Sequence, residues 1–101
     1  MGKRLTEEEF ELYMAIDEIL WKDWDPIGVQ WAKEAARDEY QSYLPRVFEM
    51  VLLDKSRQEI TDYLLRVETE NMGLSGNKEK CEKIALLVLV ARDKFLKKVP
   101  T

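Results

Sequence analysis

The chain has 101 residues, of which 46% are hydrophobic and 36% charged, with a formal net charge of −4. That balance excludes a disordered protein, and the length supports one domain over residues 1–101 that buries about two-thirds of its unfolded surface. There is no histidine, which excludes Ser-His and Cys-His catalysis and removes the commonest zinc ligand.

The first element is predicted as a helix over 6–24. Thr6 and Glu9 form a T-x-x-E capping box, and Leu5 with Phe10 has the spacing of a hydrophobic staple. Phe10, Tyr13, Met14, Leu20, Trp21 and Trp24 make one apolar arc, widened by Leu12, Ile16 and Ile19, and Asp17 lies inside that arc. Residues 7–25 hold eight acids against one lysine. Asp25-Pro26-Ile27-Gly28 then stops the helix, because a residue before proline avoids the α region and glycine closes turns. A short helical turn is expected at Trp31-Ala32-Lys33-Glu34.

The second helix is predicted over 36–53 from Tyr40, Tyr43, Leu44, Val47, Phe48 and Val51. Pro45 sits inside it, and a kink is expected there rather than a fresh helix start. Asp54-Lys55-Ser56 breaks the pattern, and Ser56 with Glu59 forms a second capping box that opens a third helix over 56–72. Ile60, Tyr63, Leu64 and Val67 define its apolar stripe, and Gly73 is placed as a left-handed cap with Leu74 folding back over it.

The last helix, predicted over 77–98, contains the longest apolar run, Ile84 to Ala91. Eight successive apolar residues face every direction around a helix axis, which predicts a helix buried all round in its middle. Cys81, Phe95 and Val99 continue the stripe of Ile84, Val88 and Ala91. Residues 78–98 carry seven bases against three acids, so the two ends of the chain are charged oppositely. They are expected to be two solvated faces that attract each other within one all-α, four-helix, bundle-like fold.

Little in this pattern carries chemistry. The four glycines match neither dinucleotide nor phosphate-loop spacing. Cys81, in line with Ile84 and Val88, reads as a buried small hydrophobe rather than a reactive thiolate. Glu68 and Glu70, with Asp62 nearby, read as a solvated acidic face, because neighbours two apart on a helix diverge. Asp17 reads as an acid satisfied by a hydroxyl, an indole or loop amides. Asp25 is expected to clamp the turn by accepting from the amides of Ile27 and Gly28. Trp21, Trp24, Trp31, Tyr40 and Tyr43 surround that turn, either packing to fix it or forming an exposed recognition patch.

Trp24-Asp25-Pro26-Ile27-Gly28-Val29, Asp38-Glu39-Tyr40-x-Ser42-Tyr43, Tyr63-Leu64 and Glu68-Thr69-Glu70-x-Met72-Gly73-Leu74 resemble a family of small bacterial helical proteins catalogued as a domain of unknown function. The resemblance covers roughly residues 10 to 74 and implies a compact, mostly helical cytoplasmic protein. It implies no activity, substrate or catalytic residue.

The functional expectation is a non-enzymatic protein-interaction module, an accessory or immunity-type partner of another bacterial protein. Trp24, Asp25, Ile27, Tyr40, Tyr43 and Asp17 are the candidate binding residues, and no cofactor, metal or catalytic residue is assigned. The alternative is a small carboxylate-dependent enzyme or metal-binding protein using Asp17, Asp25 or Glu68. A single cysteine fits a reducing cytoplasm, and no apolar segment approaches the roughly 20 residues that span a bilayer. A protein partner is therefore expected, with no nucleic acid and no membrane, for a monomer or weak homodimer.

Overall fold

The computed structural model describes residues 5–24 and 33–96, and the side chains of these apart from residues 33–39. Within them the fold is all-α and bundle-like. Its helices are α1 (Glu7–Glu18), α2 (Lys33–Leu52), α3 (Arg57–Arg66) and α4 (Lys78–Leu96), and π-helical turns extend α1 over Ile19–Trp24 and α3 over Val67–Asn71. Both expected capping boxes form. The Thr6 hydroxyl accepts from the Glu9 amide at 3.1 Å while Glu9 accepts from the Thr6 amide at 2.9 Å, and Ser56 and Glu59 repeat this at 3.1 Å in both directions. Each box satisfies two amides that a helix start leaves without partners. The staple expected at Leu5 and Phe10 leaves those residues 41% and 56% exposed.

The π turns decide which residues point inward. In an ideal α-helix, positions four apart drift by roughly 40°, so Leu12, Ile16, Leu20 and Trp24 would spread over roughly 120°. The wider π turn, with its i→i+5 bonding, removes drift over the last steps. All four side chains are consequently buried, whereas Phe10 and Met14, expected in the arc, lie on the exposed side. Asp17 is buried on the inward side, as its place in the arc implied, and it is not without a partner.

Helix α2 runs unbroken through Pro45, so no new helix starts at the proline. Pro45 is solvent-facing, and Leu44, Val47, Phe48, Met50 and Val51 supply the buried side. The helix closes with Asp54 in the left-handed region at φ 59°. The Asp54 amide donates to the Val51 carbonyl at 3.2 Å and the Lys55 amide to the Met50 carbonyl at 2.9 Å, the paired bonds of a Schellman ending. Gly73 ends the π turn of α3 at φ 68°. There the Leu74 amide donates to the Glu68 carbonyl at 2.8 Å, one residue wider than the ordinary ending because the turn itself is wider.

Helix α4 packs against α1, α2 and α3 and is the central element, as expected. It is not buried all round. Cys81, Ile84, Ala85, Val88 and Ala91 form its inward stripe, while Leu86, Leu87 and Val90 are 45%, 41% and 54% exposed. The three neighbouring helices cover one side of α4, and the opposite side of the apolar run faces solvent. No helix among the described residues is long and apolar enough to cross a membrane.

Candidate functional site

The π turn of α3 carries Glu68 into the interior at 1% exposure. The expectation of a solvated acidic face at Glu68 is thus corrected. Glu68 stands four residues after Leu64 and eight after Ile60, so it continues their buried stripe. Its neighbour Glu70 remains exposed, in keeping with the divergence of positions two apart.

A buried carboxylate requires donors, and three converge on this one. The Trp24 indole N–H donates to Oε2 at 2.7 Å, the Cys81 thiol to the same oxygen at 3.2 Å, and the Asn77 amide to Oε1 at 2.8 Å. The indole arrives on the π turn that extends α1. The thiol and the amide come from the start of α4, where the Asn77 side chain also caps the helix by accepting from the Lys80 amide at 3.1 Å. One carboxylate thereby joins the end of α1, the end of α3 and the beginning of α4, and its charge lies where the α4 dipole favours an anion. Three of its roughly four acceptor positions are filled. Burial, then the bond to Glu68 and its negative charge, push the Cys81 thiol up to about 12. Such a thiol is protonated and inert at neutral pH, which agrees with the expectation of a structural cysteine.

The connection outside Glu68 is closely fitted. Gly76 adopts φ +90°, and a Cβ there would stand 2.9 Å from Leu65 Cδ1 and from Thr69 Cγ2. Glu68, Leu74, Ser75, Gly76, Asn77 and Lys80 line a hollow of about 220 Å³ beside this loop.

The candidate binding aromatics pack rather than present themselves. Trp24 is 0% and Tyr40 1% exposed, so they do not form an exposed recognition patch. Their rings lie 5.6 Å apart, and Trp24 meets Tyr43 edge-on at 6.2 Å. With its N–H held by Glu68, the indole has no polar reason to reach water. Tyr43 is half-buried. Asp25, Ile27 and Trp31 lie outside the described residues. Asp17 and Glu68 sit on different helices, and no group of three or more acids, cysteines or histidines in metal-binding geometry occurs among the described residues.

The exposed side of α4 was not anticipated as a site. Leu87 and Val90, with Leu86 beside them, are flanked along the helix by the exposed Lys83 and Lys94. Next to Leu87 opens a groove of about 460 Å³, walled by Asp23 of the α1 extension and by Asn77, Glu79, Lys80, Lys83 and Ile84 of the α4 side. Unbroken hydrophobicity from Ile84 to Ala91 was the available signal, since a helix covered on one side must leave part of such a run outside.

No family model, no curated protein and no solved structure matches this chain.

Proposed function

We propose that this chain is a non-enzymatic interaction module, an accessory or immunity-type partner of another protein, and that the outer side of α4 is its binding surface. The observation that carries this reading is the apolar strip of Leu86, Leu87 and Val90 held open on the central helix. Exposed leucines and valines clustered on one face and rimmed by charge are characteristic of interaction surfaces. The interior supplies a second argument. Glu68, the most buried acid among the described residues, is engaged by an indole, a thiol and an amide, an arrangement suited to holding three elements together rather than to exchanging protons with a substrate.

The test is capture from the native host by the immobilised chain, compared with the Leu86→Lys/Val90→Lys variant. A partner retained by the parent and lost from the variant, with unchanged thermal melting, is the expected outcome. A partner retained equally by both would contradict the reading.

A further inference from the structure

Two exposed helix faces on this molecule complement each other. On α1, Phe10 and Met14 are 56% and 45% exposed and share a stripe with Glu7, with Glu11 alongside; both glutamates are solvent-facing. On α4 the corresponding stripe runs Lys80, Lys83, Leu87, Val90 and Lys94. Each follows the 3–4 spacing by which one helix packs along another. The α1 strip is rimmed by Glu7 and Glu11, and the α4 strip by Lys80, Lys83 and Lys94 with the two acids Glu79 and Asp93 among them. The α4 strip also has a hollow beside it, the groove of about 460 Å³ at Ile84, Leu87, Lys80 and Lys83, with Asp23 and Glu79 on its walls.

We propose that the α4 surface is occupied by the α1 face of a second copy of this chain. Phe10 of the second copy enters the groove beside Leu87, Met14 lies against Val90, and Glu7 and Glu11 meet Lys80 and Lys83. A projecting aromatic on one face that fits a hollow on a different face makes a head-to-tail contact, in which each molecule uses one surface to give and another to receive. The contact area of two short helix stripes corresponds to a weak, reversible association. This inference rests on α4 being a binding surface and names the chemistry it accepts, an acidic amphipathic helix. A separate protein partner with such a helix would compete for the same place.

Sedimentation equilibrium of the whole chain tests it with two surface variants. Phe10→Lys/Met14→Lys disables the α1 face and leaves α4 intact; Leu87→Glu/Val90→Glu does the reverse. All four positions are exposed, and circular dichroism melts verify that both variants fold. The expected result is a parent whose average mass rises with concentration above the 12.0 kDa of one chain. Each variant alone stays at one chain, and an equimolar mixture of the two restores a species of twice that mass. High salt should weaken the association several-fold by screening the rims. A parent that is monomeric throughout, a mixture that stays monomeric, or an association strengthened by salt would each overturn the head-to-tail contact. If that happens while Leu86→Lys/Val90→Lys still loses a captured protein, the α4 surface stands as a binding site and only the second copy as its occupant is wrong.

Discussion

Cys81 shows how one environment fixes a residue's chemistry. It has no exposed surface, and its thiol donates to a carboxylate. Both conditions oppose forming a thiolate, and the thiol pKa rises from 9.0 to about 12. A group whose folded pKa lies above its unfolded value stabilises the fold fully below the unfolded pKa, and that contribution is lost as pH rises through the folded one. The window here runs from 9.0 to about 12. Lysines and tyrosines titrate in the same range, so the parent must be compared with Cys81→Ala: the loss of stability above pH 9 should be steeper in the parent. Native Cys81 should also resist alkylation at pH 8 and react once urea unfolds the chain. Rapid labelling of the folded protein would show that the thiol is neither buried nor bonded as described.

At the scale of elements, α4 separates two kinds of leucine-rich position that look alike in the sequence. Ile84 is 1% exposed and Leu87 41%. Ile84→Ala should destabilise by about 2–5 kcal/mol, whereas Leu87→Ala should stay within about 1 kcal/mol, as urea melts would reveal. Equal and large effects at both positions would restore a helix buried all round. The capping boxes at Thr6 and Ser56 and the left-handed Gly73 were legible because each depends on neighbours a few residues away, and the central place of α4 because its apolar run is the longest in the chain. The side of α4 that stays open was not, because it depends on how many helices arrive to cover it. Glu68 was misplaced for a related reason. Its charge argued for solvent, while its spacing from Ile60 and Leu64 argued for the interior, and the donors that settle the matter come from other elements. Trp24 is 44 positions away in sequence. The π turns that bring Trp24 and Glu68 together left no local mark, since a one-residue widening changes no apolar pattern by itself.

For the molecule as a whole, an interior acid organises the fold, and the outer surface of α4 is the proposed place of binding. The two roles predict opposite responses to losing the charge. An acid kept for binding or catalysis is generally held at some expense to stability, so neutralising it often stabilises a protein. An acid that satisfies buried donors does the reverse. Glu68→Gln preserves shape but replaces one acceptor oxygen with an amide that faces donors. The decisive measurement is therefore the urea stability of Glu68→Gln against the parent. The expected result is a loss of about 1–3 kcal/mol, much reduced when Trp24→Phe has already removed the indole N–H, because residues in one network do not act additively. A Glu68→Gln protein as stable as the parent, or more stable, would contradict it and mark Glu68 as an acid retained for function.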